Sequence, residues 1–296
     1  FDVRNGTLYG YHGLGGKVTI PKSLNVYYID EEAFKDNNNI TELEISSPCT
    51  EIHVAAFDHM TALERVIIPD TVSFVATGAF RNCPKLKQVD LRSRAITFST
   101  RCFDNCTSLQ SLNNMVVTDP AVDTKTAELL TLTEAQFERT APHIGTLGSE
   151  AFRGCTALES VDLTLLRVSG DSVFSGCTSL REVTLSEHTA IGNAMFEGCS
   201  SLSKLIFTDT GKFDFSGALV PFSGCSLSEF VFPEGAETYF FDEATGAFYT
   251  DGDRATLVFA MQTIGSFTAP ASLKTILPGA FAGSRKLTRI TLDGVE

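Results

Sequence analysis

Gly78-Ala79-Phe80-Arg81-Asn82-Cys83-Pro84-Lys85-Leu86-Lys87-Gln88-Val89-Asp90-Leu91 sets the pattern of the chain. An Ala-Phe pair is followed three residues after the Phe by Cys, three further on by Leu, and then by Val and Leu two apart. The Phe recurs at Phe34, Phe57, Phe80 and Phe103, at intervals of 23, then at Phe152, Phe174 and Phe196, at intervals of 22, and again at Phe222 and Phe281. Six copies place Cys three residues later: Cys83, Cys106, Cys155, Cys177, Cys199 and Cys225. The other three copies carry Asn37, Met60 and Ser284. An aliphatic residue follows in every copy, from Ile40 and Leu63 to Leu227 and Leu287, and the Phe222 copy is one residue short.

Each copy then presents two apolar residues two apart, as in Leu43 and Ile45, Val66 and Ile68, or Val183 and Leu185. Residues two apart share one face of a strand, so each copy supplies one short strand with an apolar face. One copy cannot bury that face alone; stacked copies bury a continuous core, which defines a solenoid. Equivalent strands run parallel because every coil traces the same path. At about 4.8 Å per strand, some ten coils make a sheet roughly 50 Å across.

Composition agrees with an ordered array. The 296 residues are 43% hydrophobic, with 23 Phe and no Trp, as when one structural slot is refilled by one residue type. The net charge of −13 is dispersed and lacks a basic cluster. Such a chain repels phosphate backbones, which argues against nucleic acid and anionic membranes as partners. No apolar run reaches membrane-spanning length, so the chain shows no membrane insertion. It opens at Phe1 without a signal-peptide pattern and reads as a trimmed mature fragment.

The period breaks twice. Between Phe103 and Phe152 lie 49 residues, read as one degenerate coil plus a few extra residues over Asn113 to Ile144. Thr133-Glu134-Ala135-Gln136 there fits a capping box and predicts a short helix to about Thr140. Between Phe222 and Phe281 the chain repeats its own beginning. Phe1-Asp2 with Gly6, Leu8 and Tyr9 matches Phe241-Asp242 with Gly246, Phe248 and Tyr249. Val18-Thr19-Ile20-Pro21 likewise matches Phe267-Thr268-Ala269-Pro270. The expected organisation is a single solenoid: an N-terminal hairpin or capping coil over 1–33, regular repeats over 34–112, an irregular insert or degenerate repeat over 113–145, regular repeats over 146–239, and a second hairpin-bearing coil with the last repeat over 240–296.

These phases resemble the BspA-type leucine-rich repeats of bacterial cell-surface proteins, whose repeat of about 23 residues carries an Ile-Gly-x-x-Ala-Phe-x-x-Cys-x-x-Leu-x-x-(Val/Ile)-x-Leu-Pro core. Ile191-Gly192-Asn193-Ala194-Met195-Phe196-Glu197-Gly198-Cys199, followed by Leu202, Leu205 and Phe207, is one instance. The resemblance covers nearly the whole chain outside about 113–145. It implies a leucine-rich-repeat solenoid, α/β to mostly β, coiled right-handed with a parallel sheet on its concave side. It also implies an extracytoplasmic protein, secreted or surface-anchored, of a family linked to adhesion and protein binding. The Pro after the strand survives at Pro69 and Pro233 but is often missing, which affects the turn. The family has no shared catalytic residues to carry over.

Candidate chemistry is sparse. The in-phase Cys are explained as small buried hydrophobes, because stacked equivalent side chains point the same way and not at each other. Cys49 and Cys102 lie off that slot, and Cys102 with Cys106 lacks the second pair of ligands a zinc site needs. His12, His53, His59, His143 and His188 share no phase, and no Gly-x-Ser-x-Gly elbow is present. Thr250-Asp251-Gly252-Asp253 lacks the later carboxylates of a calcium loop and reads as a hairpin turn. Sequons at Asn5, Asn39 and Asn105 matter only in a eukaryotic secretory pathway. The sequence thus predicts no enzyme, no cofactor and no metal.

The candidate binding surface is the outward face of the strands: Glu42, Glu44, Arg65, Gln88, Asp90, Asp162, Glu182, Lys204, Glu229 and Arg289. These positions vary from copy to copy while the core slots do not, as in a scaffold that presents a binding face. The expected partner is a protein, for instance of a host extracellular matrix. A spacer or stalk within a larger surface protein is the alternative. A glycan-binding module is the third reading, and the absence of aromatics from the outward positions counts against it.

Overall fold

A strand with apolar residues at every second position needs an equivalent strand beside it and a covering layer behind it. In a computed structural model the chain meets both needs by winding into a β-solenoid of about ten turns with almost no helix. The structure describes residues 1–91, 96–110, 145–164, 166–168, 170–187, 189–210, 215, 218–236, 239–250, 253–260, 264–282, 284 and 286–292.

The strands that follow each Phe form a trailing column. Gly16–Ile20, Ile40–Ile45, Arg65–Ile68 and Gln88–Leu91 make one four-stranded parallel sheet. Ser160–Asp162, Glu182–Leu185, Lys204–Phe207 and Glu229–Val231 make another. Register is kept from coil to coil: Arg65 lies beside Gln88, and Glu182 beside Lys204. Val66, Ile68, Val183 and Leu185 are fully buried, while the residues between them are half-buried.

The six coils from that of Phe34 to that of Phe174 carry a second strand where the sequence predicts one strand per coil. Tyr28–Ile29, Glu51–Ile52, Phe74–Val75, Thr97–Phe98, Gly145–Leu147 and Leu166–Val168 join the hairpin Asp2–Arg4/Thr7–Gly10 in an eight-stranded sheet. This leading column runs just before each Phe. Most members are only two residues long, too short for alternation to show. Their signal is the buried apolar residue five before the Phe: Ile29, Ile52, Val75, Phe98 and Leu147.

The Phe rings stack between the columns. Centroids from Phe34 to Phe57, Phe80, Phe103, Phe152, Phe174, Phe196 and Phe222 are 5.1, 4.8, 5.4, 5.1, 5.7, 5.6 and 5.7 Å apart. Tyr11 covers the first ring at 5.8 Å, and Phe1 lies 4.9 Å beyond it. Such pairs add roughly 0.5–1.5 kcal/mol beyond their burial. The backbone turns twice per coil into the left-handed region, two residues before and two after the Phe, as at Ala55 and His59. The later slot holds Asp36, His59, Asn82, Asn105, Gly154, Gly176, Gly198 and Gly224, residue types that tolerate positive φ. In the earlier slot Val220, at φ 50°, is a β-branched exception.

Across the first break in the period the flanking coils meet directly. Phe103 stacks directly on Phe152, and Thr97–Phe98 pairs directly with Gly145–Leu147. Glu159 N–H donates to Gln110 O, as Lys87 N–H does to Glu64 O one coil type earlier. No described coil separates the two Phe, and residues 111–144, over which an insert or a degenerate repeat is expected, lie outside the described residues. The helix expected near Thr133 lies outside the described residues.

The second break is a hairpin. Phe240–Asp242 and Ala247–Tyr249 pair antiparallel at the positions equivalent to the N-terminal hairpin. Here an added strand, Thr256–Ala260, extends the sheet antiparallel and then pairs parallel with Thr275–Ile276. Asp251 and Gly252 lie outside the described residues, but the strands on either side form the hairpin their sequence implies. This sheet has two apolar faces. Phe248 and Phe259 join the long core, while Tyr249 and Leu257 join a second cluster with Phe267 and Leu273. Phe281, expected in the ladder, packs edge-on against Phe267 in that second cluster, and the ladder ends at Phe222, whose ring meets Phe259 edge-on. Ile290 and Leu292, expected to point inward, are 45% and 43% exposed, because no described coil packs beyond them.

Candidate binding face

Strand pairing decides which outward residues meet. Register stacks Lys17, Glu42, Arg65 and Gln88 in one row of the first trailing sheet, with Thr19, Glu44, Ile67 and Asp90 in the next. In the second sheet Ser160, Glu182, Lys204 and Glu229 form a row, with Asp162, Thr184, Ile206 and Val231 beside it. Arg289 stands apart, on a two-stranded sheet formed with Ser266–Thr268.

The charges on these rows largely satisfy one another. Lys17 Nζ is 2.9 Å from Glu42. Arg65 donates through Nε to Asp90 at 2.8 Å, and Gln88 donates to the other Asp90 oxygen at 2.7 Å. Lys204 lies 3.1 Å from Glu182 and 3.4 Å from Glu229. The hydrogen bond with Glu182 raises the Lys204 ammonium above its ordinary value, so it stays charged. Asp162 accepts from the Thr164 N–H and hydroxyl, and Glu44 accepts from Ser46. The sequence reading left out Lys17; its signal is the Val18-x-Ile20 alternation of an outward strand.

A charged column with buried carboxylates was also missed. One residue after Phe34, Phe57, Phe80, Phe103 and Phe152 the chain places Lys35, Asp58, Arg81, Asp104 and Arg153, alternating in sign. Arg81 grips Asp58 with both prongs, Nε at 3.2 Å and Nη2 at 2.6 Å, and Arg153 grips Asp104 at 3.0 and 2.8 Å. The two carboxylates are 0% and 2% exposed. Burial alone would push the Asp58 carboxyl up; hydrogen bonds from Arg81 and His59 outweigh it and hold the group below its ordinary value. Asn105 donates to Asn82, and Asn82 in turn reaches His59 Nε2 and Asp58, both at 3.3 Å. His59 Nδ1 is 3.0 Å from Asp58. This chain floors a shallow open groove of about 380 Å³ lined by His59, Thr61, Asn82, Pro84, Asn105 and Thr107.

All eight Cys are buried and unpaired. Each in-phase thiol donates to the Phe carbonyl of the coil before: Cys83 to Phe57 at 3.2 Å, Cys106 to Phe80 at 3.1 Å, Cys155 to Phe103 at 3.2 Å, and so on to Cys225. That carbonyl already accepts an N–H within its own coil, as Phe103 does from Cys106, so the thiol fills its second lone pair. Burial raises the Cys102 and Cys155 thiols well above the ordinary range and Cys49 to about 12, which leaves them protonated donors and poor nucleophiles. Among the described residues no three His, Cys, Asp or Glu are placed to hold a metal ion. His143 and His188 lie outside the described residues.

The family model for the BspA type leucine rich repeat region matches residues 15–117, 130–246 and 256–295 in six copies, and the chain belongs to that family. Solved structures are similar to the chain at low identity. The leucine rich repeat protein of T. pallidum is 21% identical over 62% of this chain and 76% of that one, with a TM-score of 0.45. A leucine rich cell surface protein from Faecalibacterium prausnitzii is 17% identical over 97% of this chain and 90% of that one, at 0.39. A leucine-rich repeat protein from Eubacterium ventriosum is 15% identical over 96% and 55%, at 0.37. No curated protein matches the chain. Among the described residues no helix is long and apolar enough to cross a membrane.

Proposed function

We propose that this is a non-enzymatic leucine-rich-repeat protein of the cell surface or the secreted fraction, which binds another macromolecule through the outward face of its trailing strands. The partner is a protein, such as one displayed in an extracellular matrix. The observation that carries this reading is the in-register face itself. A fixed core holds Glu42, Arg65, Gln88, Glu182, Lys204 and Glu229 in rows, and Ile67, Ile206 and Val231 lie in the neighbouring rows. Interfaces use such mixtures, with apolar contacts at the centre and charges at the rim.

The test is a binding screen of the full chain against matrix proteins. Reversing Arg65, Asp90, Asp162, Glu182 and Lys204 together should abolish binding to any partner found while leaving the fold intact. Unchanged binding would refute the trailing face as the site. The spacer reading has its own support, since a row whose charges already neutralise one another has little left to offer a partner. Absence of any protein partner in the screen would favour it.

A further inference from the structure

The leading sheet carries a surface that the trailing face lacks. Among the described residues the exposed aromatic side chains are Phe1, Tyr9, Tyr27, Tyr28 and Phe74. All belong to the first coils, and Tyr28 and Phe74 share one outward row of the leading sheet. Register puts Tyr28 beside Glu51 and Glu51 beside Phe74. The two rings therefore stand two strand steps apart, about 9.6 Å, with a carboxylate between them. Tyr28 also packs on His53, centroids 5.9 Å apart.

The carboxylates here are not neutralised as they are on the trailing face. Asp30 and Glu51 each lie 3.6 Å from His53, and among the described residues neither has a Lys or Arg partner. Glu31, next in the chain after Asp30, is exposed. Ring and carboxylate together are what a guanidinium or ammonium group seeks, charge on one side and a π-face on the other. The protein already uses the combination internally. Arg254 lies 4.2 Å from the Phe240 ring centroid and 3.2 Å from Asp242, and Arg4 lies 5.6 Å from the Tyr9 ring while pairing with Asp2.

We infer that the Tyr28–Glu51–Phe74 row, with Asp30, is a docking site for a basic polypeptide segment, whose arginine or lysine side chains lie over the two rings and pair with the two carboxylates. The site is separate from the trailing face and stands or falls independently of it.

The experiment titrates the full chain with a fluorescent arginine-rich decapeptide, at low and at physiological salt, with dextran as a neutral polysaccharide probe. The variant Tyr28→Ala/Phe74→Ala keeps every charge, so weak attraction to an acidic protein is unchanged in it. Both rings are exposed, and a thermal melt checks that the variant folds. The expected result is peptide binding weakened fivefold or more by the double variant, an effect of about the size two exposed cation–π contacts supply. Glu51→Gln/Asp30→Asn should weaken it similarly, and Glu159→Gln/Glu187→Gln, two exposed carboxylates of later coils, should leave it unchanged. Equal binding by wild type and the ring variant would overturn the site. Ring-dependent binding of dextran with no ring-dependent binding of the peptide would overturn the ligand class in favour of a sugar.

Discussion

The coils of Phe57 to Phe103 and those of Phe152 to Phe222 share one core and differ in what surrounds it. In both, buried rings stack at about 5–6 Å and a thiol donates back to the preceding Phe carbonyl. After each ring the first block places Asp58, Arg81 and Asp104, locked into bidentate pairs with the Arg residues of neighbouring coils. The second block opens with Arg153, which reaches back to Asp104, and then places Ser175, Glu197 and Ser223 there. The left-handed slot shows the same divergence, His59, Asn82 and Asn105 against Gly154, Gly176, Gly198 and Gly224. One backbone path is thus held in two ways. The first block stitches side chains across coils, and the second removes them and lets glycine take the positive φ without cost.

The largest expected effect should be equal in the two blocks. Phe80→Ala and Phe174→Ala each empty a fully buried ring site and should cost about 3–5 kcal/mol in chemical denaturation. A large inequality would mean that the ladder is not one structure.

The next effect should separate them. Arg81→Met leaves the fully buried Asp58 with only His59 and Asn82, and should cost about 3 kcal/mol, the low end for a broken buried pair because those partners remain and the guanidinium is 35% exposed. Ser175→Ala, at the equivalent position of the second block, should stay within about 0.5 kcal/mol. Equal costs would erase the distinction.

The same pair sets an acid response. The Asp58 carboxyl is held below the ordinary value of about 3.9, so its contribution is fully present above that pH and is lost as pH falls through the lower folded value. Stability measured from pH 5 to pH 2 should therefore fall less steeply in Arg81→Met than in the wild type. A parallel slope would show that the pair is not what depresses the group.

Effects smaller than the loss of a ring or of the buried pair lie in the left-handed slot. Gly176→Ala puts a β-carbon at φ 76° and should cost about 1–2 kcal/mol. Asn82→Gly relieves the backbone while losing the hydrogen bonds to Asp58 and His59, and should remain within about 1 kcal/mol.

Much of this was legible in the sequence because it recurs in phase. Phe, Cys, Leu and the trailing strand repeat at 22 or 23 residues, and Phe1-Asp2 against Phe241-Asp242 announced the second hairpin. What escaped had no phase to show. The two-residue leading strands are too short for alternation, although Ile52, Val75 and Phe98 mark them. The Asp104–Arg153 pair spans 49 residues, so the insertion hid a contact that Asp58–Arg81 displays at 23. Phe281 kept the motif but not the place, because the added strand Thr256–Ala260 moved its neighbours. The outward residues carry no phase by their nature, and pairing such as Lys204 with Glu182 becomes visible only once register is known.

The central claim is that a single core runs unbroken across the insertion, with the coil of Phe103 seated directly on that of Phe152. Replacing residues 111–144 by the eight residues 88–95, which join the equivalent positions one coil earlier, tests it most directly. Direct stacking predicts a chain that unfolds in one cooperative transition with a melting temperature at or slightly above the parent's, since a shorter loop costs less to close. Loss of that transition, or its division into two, would show that residues 111–144 are part of the core and would contradict the account.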